Sequence, residues 1–458
     1  RLTGPAGRAI LLNFILFYIL IITGVFVYFI ANFFNIFPGT VWATLGVYLT
    51  GMLVGHLLYK RHTPIMPVTL LSLVLTAASI YAGMVLRWPA KEFLGGWTIP
   101  FWAAVTCVIL YLGATLPLPM FIQPVNFVAF FPTFLAIIFI IVGAMVSPLT
   151  HVTLQQPAFK TFFDAAAGPM WPILFIAIAC GAISGWHSLV GSSSTSKQLD
   201  VETDAHPVGA GAMLTEGLLA LASLAAYMVL SNDQLKGMEN IGAWVVGAVR
   251  LTSSYLGGAG AEGLWRSFYA MALVLYALTV LTLAVRFWRL VAAEVFSDGP
   301  LQPLGNKYIS TVGGLVISYI FSISGSWINL WLYFGASNQL LAGLALMLIT
   351  IHLARVKAPT IYTLIPAVFM IVTTIAGLLW QIYKFADATL IGLRTGAPPA
   401  AFVKPPLDHY PHLAIGLNAV FVLVGIALLV LGLRMAVIVI GGYQRAQEAA
   451  KNSPAPSA

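Results

Sequence analysis

Residues 171–200 read WPILFIAIACGAISGWHSLVGSSSTSKQLD. The first half is apolar enough to lie in hydrocarbon. The second half gives way to Gly191, the hydroxyls of Ser192, Ser193, Ser194, Thr195 and Ser196, and then Lys197. Each unpaired polar group in a bilayer core costs several kcal/mol, so lipid cannot face such a run. The stretch therefore predicts a membrane span that breaks against protein or water near one face of the bilayer.

The rest of the chain agrees with a membrane setting. Its 458 residues are 60% hydrophobic and 8% charged, with a mean hydropathy of +0.94. A soluble domain carries about 25% charged residues. This composition predicts an all-α, polytopic helical membrane protein. Apolar runs of about 20 residues, bounded by Pro, Gly or charge, mark spans. They fall at 9–33, 38–59, 66–86, 97–116, 124–146, 168–190, 210–230, 264–287, 309–325, 335–354, 361–383 and 412–437. About 12 transmembrane helices, with broken or re-entrant segments, put both ends on one side. Two further irregular stretches stand out. One is ISGSWINLWLYFGASNQLLAGLAL (323–346), with Gly325 and Gly335, and the other is LPLPMFIQPVNF (116–127).

Charge sets the expected orientation. With the start inside, the inner loops collect Arg1, Arg8, Lys60, Arg61, Lys197, Arg286, Arg289, Lys307, Arg355, Lys357, Arg434, Arg445 and Lys451. The longer outer loops collect only Arg87, Lys91, Lys160, Lys236, Arg250, Arg266, Lys384, Arg394 and Lys404. Both termini are thus expected in the cytoplasm. The net charge of +8 reads as cationic cytoplasmic loops rather than a nucleic-acid surface. Cys107 and Cys180 lie in apolar runs without a CxxC partner and imply neither disulfide nor metal. The first apolar run is too long for the core of a signal peptide, so none is expected. Residues 1–445 read as a single transmembrane domain and 446–458 as a frayed cytoplasmic tail. Residues 232–262, Gly-rich and amphipathic with Glu239 and Glu262, read as an external loop or an interfacial helix.

Polar residues set too deep are the candidate site. Ala179, Gly181, Ala182, Ser184 and Gly185 form a small-residue face suited to close helix packing. His187 is either a packed interfacial residue or a proton carrier. Ser192, Ser196 and Lys197 suit an anionic or ionic ligand at a broken helix, or else form an ordinary cytoplasmic loop. Glu216, in GAGAMLTEGLLALASLAAYMVL (209–230), lies one to two turns into an apolar span. An ionised carboxylate there needs a partner, and Lys197, His187 and His206 are the candidates. It is a proton or cation coupling site, or a structural ion pair. Arg286, followed by Arg289, is an interface anchor or a clamp on a substrate carboxylate. The amides of Asn338 and Gln339 cap a helix or coordinate substrate or ion. No HExxH, P-loop or CxxC motif occurs, so an enzyme is not expected.

The segments WPILFIAIACGAISGWHSLVGSSSTSKQLDVETDA, GAGAMLTEG, YALTVLTLAVRFWRLVAAE, FGASNQLLAGLALMLITIHL and YTLIPAVFMIVTT resemble the carbon starvation protein A (CstA) family of peptide transporters. The likeness runs, with gaps, through nearly the whole chain. It implies a secondary active importer of short peptides or of small carboxylates such as pyruvate, in a bacterial inner membrane. Proton or sodium coupling and no cofactor are implied, with a fold akin to the amino acid–polyamine–organocation superfamily. Carried over position by position, Ser192, Ser196, Lys197, Gln198, Arg286, Asn338 and Gln339 become substrate-binding candidates. Glu216, His187, Glu202 and Asp204 become coupling candidates.

The chain also departs from the pattern. Thr282 stands where the family has the Asp of its LDTATR stretch, Val125 and Asn126 replace an Arg-Asp pair, and Ser193 replaces a glycine. Family members carry further N-terminal spans, which on this likeness the chain is expected to lack. These departures motivate an alternative expectation: a non-transporting, transporter-like scaffold joined to other membrane subunits.

Overall fold

A backbone in hydrocarbon must satisfy its own hydrogen bonds, and long apolar runs do so by becoming helices. The computed structural model describes residues 4–452 apart from 87, 89, 165–167, 194, 237–239, 325, 326, 400, 401 and 403–409. Arg1, Arg87, Ser194, Glu239, Gly325 and Lys404 therefore lie outside the described residues, as do the side chains of Ser193, Lys236 and Lys451.

Five long helices open the chain: α1 (Gly4–Ile36), α2 (Thr40–Tyr59), α3 (Ile65–Val85), α4 (Thr98–Thr115) and α5 (Ile122–Val146). A broken segment follows and ends in the half-helix α6 (Gly185–Ser193). Then come α7 (Ala205–Met228), α8 (Asn240–Ser253), α9 (Glu262–Val295), α10 (Lys307–Ile323), α11 (Trp327–Arg355), α12 (Ile361–Thr395) and α13 (Pro411–Asn452). Strand structure among the described residues is a two-residue pairing of Phe163–Asp164 with Gly168–Pro169. The architecture is all-α and polytopic, as the composition implies.

Helix ends follow local chemistry. The Asn306 side chain accepts from the Tyr308 and Ile309 amides and starts α10. Gly396, at φ 81°, ends α12 in the left-handed conformation that costs glycine least.

Ten helices among the described residues are long and apolar enough to cross a membrane. Two of the expected twelve spans take a different form. The run at 309–325 is the 17-residue helix α10. The run at 168–190 is not one helix. It is a series of short turns at Met170–Leu174, Phe175–Ala177 and Ala179–Ala182, then α6. Trp171 (φ −101°, ψ 129°) and Ile183 (φ −153°, ψ 92°) are the extended residues that interrupt it.

The expectation of an external loop or interfacial helix at 232–262 is corrected. This region contains α8, whose Ala243, Val245, Ala248 and Leu251 are fully buried. Gly247 is the reason it can pack so closely. A Cβ there would lie 1.7 Å from the Ala226 carbonyl oxygen of α7. At the C-terminus α13 runs on to Asn452, past the boundary expected at 445.

α1 and α9 form the centre and run antiparallel. Arg8 pairs with Glu294 at one end, and Asn32 and Arg266 line a shared cavity at the other. One apolar cluster joins α11, α12 and α13 to Phe14–Val25 of α1 and the last turns of α9. The second joins α2–α5, α7 and α8 to Val27–Phe34 of α1 and the earlier turns of α9. The broken segment lies against α11, with α7 beside it.

Candidate functional site

The break at Ile183–Gly185 leaves the first amides of α6 without helical partners, and a neighbouring helix supplies one. Asn338 of α11 is fully buried. Its Oδ1 accepts from the Trp186 backbone N–H at 2.9 Å and from the Tyr18 hydroxyl at 2.9 Å. Its Nδ2 donates to Ser184 Oγ at 3.4 Å. Asn338 thus caps α6 from across the bundle and ties it to α1. A Cβ on Gly185 would lie 2.4 Å from the Asn338 carbonyl oxygen, so glycine is what allows the approach.

One turn into α6, His187 faces α7. Its Nδ1 lies 3.4 Å from Glu216 Oε2, with the imidazole 52% exposed and the carboxylate 24% exposed. Because α7 begins at Ala205, Glu216 stands about three turns inside the helix. Measured from the start of the apolar run at 210, it stands one to two turns in. Of the three partners expected for Glu216, the structure selects His187.

Further groups close in on this pair. Cys180, between the breaks, lies near Ser184, Asn338 and Glu216. The Tyr276 hydroxyl of α9 is an electrostatic neighbour of both Cys180 and Glu216. Sequence reasoning passed over Tyr276, because one tyrosine in an apolar span carries no periodic or motif signal.

Tyr276 also lines a cavity of about 390 Å³ bounded by α1, α5, α7, α8, α9 and α11. Phe29, Trp244 and Trp331 give it apolar walls, and Thr133, Ser223 and Tyr227 contribute hydroxyl-bearing side chains. Leu219 and Ser223 of its wall lie one and two turns beyond Glu216 on α7. Glu216 therefore stands one turn along α7 from a half-open, mostly apolar cavity.

The other expected site residues are placed differently. Ser192, Ser196, Lys197 and Gln198 lie on the last turn of α6 and the turn after it, and all four are exposed. The Ser192 hydroxyl donates to the Ser188 carbonyl at 2.7 Å, and that of Ser196 to the Ser192 carbonyl at 3.0 Å. These hydroxyls serve their own backbone, and the cavity lies elsewhere. The described part of 191–198 is a surface turn, one of the two forms that the sequence left open. Glu202 is exposed and Asp204 half-buried in the turn that leads into α7.

Arg286 reaches the end of α4. Its Nη2 donates to the Leu116 carbonyl at 2.5 Å, while Arg289 Nη1 donates to the Ala114 carbonyl at 2.7 Å. The two guanidiniums cap the C-terminus of α4, where cations are favoured. Gln339 is buried, with Nε2 3.2 Å from Met370 Sδ and Oε1 lacking a hydrogen-bond partner. Of the small-residue face, Ala179 and Gly185 are buried, whereas Gly181 and Ala182 are exposed.

Two of the departures from the family pattern have become packing positions. A Cβ on Gly113 would meet the Thr282 methyl at 2.2 Å, and one on Gly51 would meet Val125 Cγ2 at 2.7 Å.

The sequence model of the family described as Carbon starvation protein CstA matches residues 1–249 and 239–377. A peptide transporter CstA of Campylobacter jejuni is 28% identical over 368 residues, covering 64% of this chain and 52% of the relative. A peptide transporter CstA of Bacillus subtilis is 27% identical over 392 residues, covering 74% and 64%. The pyruvate/proton symporter BtsT of Escherichia coli K12 is 28% identical over 399 residues, covering 67% and 54%. The chain thus matches about half to two thirds of the length of these relatives. No solved structure matches.

Proposed function

Because the chain belongs to the carbon starvation protein CstA family, we propose that it is a secondary active transporter of short peptides or small carboxylates, coupled to protons. Relatives named for peptide transport and for pyruvate/proton symport support the substrate class. The single observation that carries the coupling is the His187–Glu216 pair, 3.4 Å apart, beside the 390 Å³ cavity.

The mechanism follows from where the two partners sit. Glu216 belongs to the continuous helix α7 and His187 to the half-helix α6. With the carboxylate ionised and the imidazole protonated, the pair holds α6 against α7. A proton taken up by Glu216 dissolves that attraction and removes a charge that is costly in an apolar setting. The half-helix is then free to shift on its Asn338 hinge, and helices on the two sides of the cavity can rock about it. A volume of 390 Å³ falls in the range of about 300–1,000 Å³ typical of small-molecule sites. Its aromatic walls and few hydroxyls suit a small organic solute better than a hydrated ion. The plasma membrane, with both termini in the cytoplasm, is the setting this reading implies.

The test is uptake into proteoliposomes holding the full chain, driven by an imposed pH gradient, with radiolabelled pyruvate and dialanine as probes. Glu216→Gln keeps the size of the side chain but cannot exchange a proton. The variant is expected to lose gradient-driven accumulation while retaining exchange of internal for external substrate. Undiminished accumulation by the variant would reject Glu216 as the coupling group. Absence of uptake of either probe by the unaltered chain would reject transport of these solutes.

A further inference from the structure

A second cavity, of about 650 Å³, lies at the end of the bundle opposite the Arg286–Arg289 cap. It is built differently from the first. Its walls are Asn32, Asn35, Ile36, Phe37, Pro38, Gly39 and Thr40 from the end of α1 and start of α2, with Gly83 and Met84 of α3, Gly242 and Val246 of α8, and Gly263, Arg266 and Ser267 of α9.

From these walls we infer that this cavity is a carboxylate-binding vestibule, with Arg266 as its cationic recognition group and Thr40 as a second donor. Arg266 is exposed at the rim. No carboxylate among the described residues lies within ion-pair distance of it. Glu262, one turn earlier on α9, is exposed and is not part of the lining. Thr40 is 1% exposed, yet its Oγ1 has no hydrogen-bond partner among the described residues. A buried hydroxyl without a partner calls for an explanation, and a group received by the cavity that Thr40 lines supplies one.

Backbone polarity has the same sign. The N-termini of α2, α8 and α9 reach the cavity, against the C-termini of α1 and α3. Each N-terminus carries about half a positive charge and each C-terminus about half a negative one, so the balance favours an anion. Gly39 and Gly83 bring two backbones together, since a Cβ on Gly39 would lie 1.9 Å from the Gly83 carbonyl oxygen. Peptide backbone thus contributes to the wall, beside the side chains of Ile36, Phe37, Met84 and Val246.

The vestibule leads toward the compartment beside Glu216. Asn32 of the vestibule and Phe29 of the inner cavity are one turn apart on α1. On α9 Ser267 and Ala272 are five residues apart, and on α8 Gly242 and Trp244 are two apart. An anion held at Arg266 stands about 15 Å along α9 from Tyr276, at 1.5 Å per residue.

The ligand class rests on the transport reading, but its test does not require transport. Equilibrium binding of radiolabelled pyruvate to the purified full chain in detergent is compared among the unaltered protein, Arg266→Gln, Arg266→Lys and Thr40→Val. Loss of a charge-assisted hydrogen bond should weaken binding about ten-fold or more in Arg266→Gln. Arg266→Lys should recover part of that loss, Thr40→Val should weaken binding a few-fold, and added salt should weaken the unaltered protein more than Arg266→Gln. Equal affinity in the unaltered chain and Arg266→Gln overturns the vestibule, as does absence of pyruvate binding. Equal competition by inorganic phosphate overturns the preference for carboxylate. Each of these can occur while gradient-driven uptake persists, so failure here is distinguishable from failure of the transport reading.

Discussion

Asn338 joins three segments that are far apart in the chain, and its replacement has a calculable cost. Asn338→Leu removes the acceptor for the Tyr18 hydroxyl and the Trp186 amide, leaving two buried donors unpaired. At about 1–3 kcal/mol for each, the loss is expected to be about 2–6 kcal/mol, read as a lower thermal midpoint of the purified protein. Tyr18→Phe should cost less, and the double variant less than the sum of the two, because both act on one network. The contrast with Glu216 explains what the sequence discloses. A lone carboxylate in an apolar run demands a partner, and His187 was among the few choices. Asn338 and Tyr18 lie 320 positions apart, and neither carries a charge that would betray the need for the other. The sequence leaves Ser192 and Ser196 with two readings for a related reason. Serines bonded to their own helix and serines bonded to a ligand look the same in a sequence.

Among the elements, the broken segment depends on close backbone contact with α11. A Cβ on Gly185 would also come within 2.5 Å of Leu341 Cβ, so Gly185→Ala must push α6 away from α11. The expected cost is about 1–3 kcal/mol from overpacking, together with impaired uptake because His187 moves with α6. Gly181→Ala is the control, since nothing lies within 4 Å of its added Cβ. Thermal unfolding and uptake of the two variants should therefore separate, and equal stability would contradict the contact. A break was expected after this span, at 191–197, whereas Gly181, Ser184 and Gly185 read as a packing face; the interruption at Ile183 was not legible, because small residues suit close packing and a helix break equally. Nor was the burial of α8. Its amphipathic pattern fits a helix on a membrane surface as well as one whose apolar face meets protein, and only the partner surface on α7 and α9 distinguishes them.

Across the whole molecule, the apolar runs located most spans because hydrocarbon leaves the backbone few alternatives. Their arrangement was hidden. That α1 and α9 form the centre follows from contacts between residues such as Arg8 and Glu294, which no local pattern links. The charge distribution also makes a prediction about orientation. A cysteine introduced as Glu448→Cys, at an exposed position near the end of α13, should react with a membrane-impermeant maleimide in inside-out vesicles and not in intact cells. Cys107 and Cys180 would first be changed to serine. Labelling in intact cells would place the C-terminus outside and reverse the assignment.

The length of α9 has a mechanical corollary. Its 34 residues extend about 51 Å, against a hydrocarbon layer of about 30 Å. Such a rod must lean or project beyond the lipid, and its lean responds to how thick the surrounding bilayer is. Because the same rod walls both hollows, a thinner or thicker membrane would alter their relative widths together. Acyl-chain length should then act on this protein as a physical regulator, with no molecule bound.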